Sequence, residues 1–89
     1  MREIKLEIGS LWPDVKEGSY NYSLLVDEVE AGRFQCESYG VGVTCPSTGE
    51  SARVEDITAN PKRIDDLCEL LVRNQVGPTH LRDVIDDWL

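Results

Sequence analysis

Three cysteines, Cys36, Cys45 and Cys68, and one histidine, His80, together make a Cys₃His inventory. By count that would suit a structural zinc site. By spacing it does not, because zinc ligands usually arrive in close pairs and none exists here. Cys68 also falls among the apolar positions of a helical pattern, where a free cysteine acts as a small hydrophobe. An odd cysteine count without paired spacing does not read as a disulfide framework. It fits a reducing compartment. The expectation is three free thiols, no metal and no cofactor.

Catalysis is no better supplied. His80 and Asp83 are spaced to meet on one helix face. A triad would still need a poised Ser or Cys, and no nucleophile-elbow sequence marks one. "YGVGV" holds Gly40 and Gly42 but lacks the further glycines and following helix of a phosphate loop. Within a strand pattern, such glycines point to a bulge or a close backbone approach. No run of alternating acids makes a calcium loop. Acidic pairs recur at Asp27–Glu28, Glu55–Asp56, Asp65–Asp66 and Asp86–Asp87. Glycosidase or magnesium chemistry needs carboxylates converging in a cleft, and these read as solvated.

What remains is the charge itself. Nine Lys and Arg face 17 Asp and Glu, a formal net charge of -8. Direct nucleic-acid binding is disfavoured, since phosphate neutralisation needs a basic patch. An anionic membrane surface is disfavoured for the same reason. A protein partner with a basic surface is favoured; the competing account is that the charge serves solubility alone.

The elements that place these residues follow from periodicity. "REIKLEI" alternates, with Ile4, Leu6 and Ile8 on one face, as a half-buried strand does. "GSLWPDVKEGS" breaks the alternation and reads as a loop, with Trp12 either plugging the core or offering a contact. Tyr20, Tyr22, Leu24 and Val26 resume it, and a turn is expected around Gly32. A third strand runs through "RFQCESYGVGVTC", its apolar parity shifting in a way that predicts a bulge near Glu37–Ser38. "PSTGE" turns the chain into a fourth strand, "SARVEDIT". Short turns between successive strands favour an antiparallel meander.

"NPKRIDDLCELLVRNQ" predicts a helix, with Asn60 as N-cap, Pro61 at the first position and Ile64, Leu67, Cys68 and Leu71 as its apolar face. Glu69 and Arg73 are spaced for an ion pair in the favourable order. Gly77 is placed to end the helix and Pro78 to open another. That last helix carries Leu81, Val84, Ile85 and Trp88 on one face, and Trp88 and Leu89 are expected in the core. Asp83, Asp86 and Asp87 lie opposite, toward the negative pole of the helix dipole, where helix stability does not call for acids. Arg82 is spaced to pair with Asp86, in the weaker order.

The expected fold is α+β: an antiparallel four-stranded meander followed by two C-terminal helices packed on one sheet face. It forms a single domain over residues 1–89, with the sheet in 1–59 and the helices in 60–89. No signal peptide or membrane span is expected, which reads as cytoplasmic. The candidate partner-binding residues are Asp65, Asp66, Glu69, Asp83, Asp86 and Asp87, with Trp12.

From "YGVGV" at Tyr39, through "DIT" at Asp56, to the closing "GPTHLRDVIDDWL", the chain resembles a family of short, uncharacterised bacterial proteins, mainly from Clostridia and related Firmicutes. The His80–Leu81 pair and the "DVIDDWL" ending carry it most specifically. The resemblance implies a fold and a bacterial or phage setting, and assigns no activity. The leading functional expectation is a non-enzymatic interaction protein. Its sharper form inhibits a basic nucleic-acid-binding protein, as an anti-CRISPR protein would. The alternatives are a cytosolic domain whose charge serves solubility, and then a small enzyme using His80.

Overall fold

The computed structural model describes residues 2–16, 18–31 and 34–89. Strand β1 (Arg2–Lys5) leads into a single helical turn, α1 (Ile8–Leu11). Strands β2 (Asn21–Ala31), β3 (Phe34–Thr44) and β4 (Ser51–Thr58) follow. Helices α2 (Pro61–Arg73) and α3 (Leu81–Trp88) close the chain. The strands form one antiparallel sheet in the order β1-β2-β3-β4, a meander, followed by the helices. The turn expected at Gly32 lies outside the described residues.

Alternation on β2 and β3 selects the buried face. Tyr22 stands opposite Val43, and Leu24 opposite Val41. Side chains of directly opposed residues share a face. Tyr22, Val41 and Val43 join Ile64, Leu67, Leu71, Val72, Leu81 and Ile85 in one buried cluster. Burying each such aliphatic side chain contributes about 1.5–3 kcal/mol against leaving it in water. The Tyr22 hydroxyl finds a partner within this core, donating to the Val76 carbonyl at 2.9 Å.

On the opposite face, Glu3 stands beside Leu25, Leu25 beside Gly40, and Gly42 beside Arg53. Glu3 and Arg53 sit on strands at opposite edges of the sheet, yet their side chains meet at 4.0 Å across β2 and β3. On this face a Cβ at Gly42 would lie 3.7 Å from Arg53 Cγ, and Leu25 is buried. β2 and β3 also outrun their neighbours. Among the described residues β1 pairs no further than Val26, and β4 no further than Tyr39. The free ribbon fits the molecule's length of 43 Å against widths of 25 and 24 Å.

Helix α2 forms as its ends dictate. Asn60 Oδ1 accepts from the Lys62 and Arg63 amides, satisfying two N–H groups that the helix leaves orphaned. The other end departs from expectation. Gln75, not Gly77, takes the left-handed conformation, at φ 51°. Gln75 N donates to Val72 O and Val76 N to Leu71 O, the pair of bonds of a Schellman stop. Gly77 is small for another reason: a Cβ there would meet the Tyr20 hydroxyl at 2.9 Å.

Other expectations need correction. The first strand ends at Lys5, although the Leu6 amide still donates to Tyr22 O. Ile8 belongs to α1, and Ile8, Leu11 and Trp12 carry i, i+3, i+4 spacing inside what reads as loop. β2 and β3 pair regularly through Glu37 and Ser38, so no bulge lies there. The irregularity is on β4: Val41 faces Val54, but Tyr39 faces Thr58. Asp56, within the extra residues, has φ 54°. α3 starts at Leu81, after a turn through Pro78–His80, and Asp83 therefore lies in its first turn. Asp83 is thus well placed for the dipole, and only Asp86 and Asp87 oppose it. Leu89 is 68% exposed and outside the core, whereas Trp88 packs against it. No Arg82–Asp86 ion pair forms among the described residues.

Candidate functional site

Trp12 packs on the edge of the core, at the end of the α1 turn. With Leu6, Leu11, Leu24 and Cys68 it bounds a surface groove of about 280 Å³. Asp65, Asp66 and Glu69 of α2 form the groove's other side. Four of the seven sequence-predicted contact residues therefore meet at one place: Trp12, Asp65, Asp66 and Glu69.

The acidic side is partly countered. Lys62 Nζ lies 3.9 Å from Asp66, and Arg73 lies 3.2 Å from Glu69. Arg73 also forks onto Asp14, donating to its two carboxylate oxygens at 2.9 and 3.3 Å. That fork ties the loop after Trp12 to α2, and the guanidinium holds the Asp14 carboxyl below the usual carboxylate range. Asp65 makes no ion pair among the described residues. Around the groove, four carboxylates face two cations. All these pairs are exposed, and such pairs contribute little and exchange readily. An incoming cation therefore finds carboxylates that are available.

Cys68 is a wall rather than a reagent. It is 4% exposed, and burial, with Asp65 adding, pushes its thiol up to about 12. A thiol held protonated is a poor nucleophile. Cys45 differs. It stands at the β3–β4 turn with Sγ 3.2 Å from Ser47 Oγ. The hydroxyls of Ser47 and Thr48 lower it to about 7. Cys36 is exposed on β3. All three thiols are free. Among the described residues no three His, Cys, Asp or Glu side chains cluster as metal ligands would. His80 is exposed at the N-cap position of α3, and its side chain caps nothing.

The α3 acids stand elsewhere. The Arg63 guanidinium lies 4.5 Å over the Trp88 ring, so α3 is reached from the Arg63 flank of α2. At 100° per residue, Arg63 and Asp65 are about 200° apart around the helix. The groove and α3 thus lie on opposite flanks of α2. The six acids grouped from the sequence as partner-binding candidates form two surfaces: Asp65, Asp66 and Glu69 at the groove, and Asp83, Asp86 and Asp87 beyond it. Asp83, Asp86 and Asp87 are exposed and make no ion pair among the described residues.

A family model described as a family of unknown function (DUF6514) matches residues 12–89. The chain belongs to that family. The DUF6514 match starts at Trp12, well before the Tyr39 at which the sequence resemblance begins. It takes in the groove tryptophan, Leu24 and all three acids of α2, and leaves out β1 and α1 with Leu6 and Leu11. Searches of the curated proteins and of the solved structures return no match.

Sequence reasoning missed Leu6, Leu11 and Leu24 as groove residues, and Arg73 and Asp14 as the clip beside it. The i, i+3, i+4 spacing of Ile8, Leu11 and Trp12 is the signal that would have turned the loop into a wall. The Asp14–Arg73 contact joins residues 59 positions apart and leaves no local trace.

Proposed function

We propose that the protein is a non-enzymatic interaction protein that binds a protein partner with a basic surface. The observation that carries this reading is the groove beside α2, where apolar side chains and carboxylates meet. If charge served solubility alone, nothing would call for large apolar groups at the same spot. Leu11 is nonetheless 53% exposed there, and Ile4, opposite the groove residue Leu24, is 45% exposed. Apolar contact supplies affinity, while charge complementarity acts through encounter rate and specificity.

In its sharper form the partner is a basic nucleic-acid-binding protein, blocked as an anti-CRISPR protein would block it, in the cytoplasm of a bacterial cell. A net charge of -8 supports that form, because carboxylates then stand where phosphates would lie. Among the described residues no helix is long and apolar enough to cross a membrane.

The test is affinity capture from a bacterial lysate at about 50 mM and about 500 mM salt, a range that shortens the Debye length several-fold. The parent chain and Asp65→Asn/Asp66→Asn/Glu69→Gln are compared. A basic protein held by the parent at low salt, released at high salt and not held by the variant supports the reading. Retention indifferent to both salt and substitution rejects it.

A further inference from the structure

Resting on that reading, we infer that the groove takes one amphipathic, basic α-helix of the partner, laid alongside α2 over β1 and β2. The helical layer of this protein is incomplete at one edge. α2 touches β2, β3 and β4, and α3 touches β4. β1 is the edge strand beyond β2, on the side of the four-residue turn α1 and the core residues Trp12, Val15 and Tyr20 that follow it.

The exposed apolar residues mark what this leaves open. Ile4 stands opposite Leu24, so it points to the same face as the helices, yet it is 45% exposed. Leu11 borders the groove at 53%. With Leu89 at the chain's last position, these are the exposed large hydrophobics among the residues whose side chains are described.

The dimensions suit a helix. Adjacent strands lie about 4.8 Å apart, so β1 and β2 present a floor about 10 Å wide once side chains are included. An α-helix with its side chains is about 10–12 Å across and packs 8–10 Å from a neighbouring helix. The chemistry suits the same occupant. Ile4 and Leu24 would receive an apolar stripe, with Leu11 and Trp12 as the far wall. Asp65 and Glu69 are one turn apart on α2, so basic residues at i and i+4 on the guest's flank meet them in register. A second copy of this chain is the poorer guest: its two longer helices carry Asp65, Asp66, Glu69, Asp83, Asp86 and Asp87, which would oppose carboxylates with carboxylates.

The experiment uses the full ¹⁵N-labelled chain and two synthetic peptides of about 18 residues. One places Leu at i, i+3, i+4 and i+7 with Lys and Arg on the flanks. The other has the same composition, shuffled to remove the stripe. The striped peptide is expected to gain helicity on binding and to shift the amides of Leu6, Leu11, Leu24 and Cys68. The shuffled peptide is expected to bind at least about tenfold more weakly. Ile4→Lys and Leu11→Lys replace exposed residues, so their spectra should remain those of a folded chain. Each should weaken the striped peptide by roughly tenfold.

Equal binding of both peptides, shifts centred on Asp83, Asp86 and Asp87, or binding without helicity would each overturn the inference. So would a peptide-free dimer that Leu11→Lys dissolves, since the occupant would then be a second copy. A basic partner captured through the α2 acids while both peptides ignore the groove leaves the wider reading standing and removes this one. Capture indifferent to those acids removes both.

Discussion

Tyr22 shows how much one side chain carries in a core this small. Its hydroxyl holds the Val76 carbonyl just past the end of α2, and so ties the sheet to the α2–α3 turn. In Tyr22→Phe that carbonyl loses its partner, at a cost of about 1–2 kcal/mol. For a domain this size that lowers Tm by roughly 4–16 °C, readable in a thermal melt. Burial, with Tyr20 adding, pushes the Tyr22 phenol up to about 12 from an ordinary value of 10. The folded state therefore holds the proton more tightly than the unfolded chain. The resulting stability is complete below pH 10 and is lost as pH rises from 10 to 12. The decline should shrink in Tyr22→Phe, as melts at pH 9 and 11.5 would show. The cysteines separate in the same way. At pH 7, iodoacetamide should modify the exposed Cys36 first, then Cys45, which is buried but acidified, and Cys68 last, by peptide mass mapping. Modification of Cys68 at the rate of Cys36 would show that the groove wall is open.

The elements differ in how far the sequence announces them, and the reason is the range of the forces involved. α2 is legible because its cap, its proline and its stripe are all local. Asn60→Ala should cost about 1 kcal/mol, checked by chemical denaturation. The meander is legible for the same reason, as alternation with short turns. The bulge is not. It is set where β4 presses on β3, and Gly40 records it only as a missing side chain: a Cβ there would collide with Val54 O and lie 2.8 Å from the Glu55 Cα. Gly40→Ala therefore forces backbone to move and should destabilise far more than Gly42→Ala, whose Cβ meets nothing nearer than 3.7 Å. The short α3 divides its own acids. Asp86→Asn/Asp87→Asn should raise Tm by roughly 1–4 °C by relieving the dipole, while Asp83→Asn should lower it slightly. Trp88→Ala should cost several degrees through lost burial and the lost Arg63 contact, and Leu89→Ala almost nothing.

At the scale of the whole molecule, a net charge of -8 favours a basic partner but says nothing of where it would dock. The acids read as one set of candidates because each helix, taken alone, shows acids opposite its apolar face. Assembly puts α1 on one flank of α2 and α3 on the other, so Asp65, Asp66 and Glu69 border the apolar groove and Asp83, Asp86 and Asp87 do not. Half of the candidate site was thus legible as residue types. The rest, Leu6, Leu11, Leu24 and Cys68, becomes a groove only through the packing of α1 and β2 beside α2. We propose that a basic partner docks at this groove and not on acidic charge at large. The most direct measurement is the association rate of the captured partner at two salt concentrations. It compares Asp65→Asn/Asp66→Asn/Glu69→Gln with Asp83→Asn/Asp86→Asn/Asp87→Asn, two variants that remove equal charge. The groove variant should slow association and flatten its salt dependence, while the α3 variant stays close to the parent. Equal effects from both, or a larger effect from the α3 variant, would contradict it.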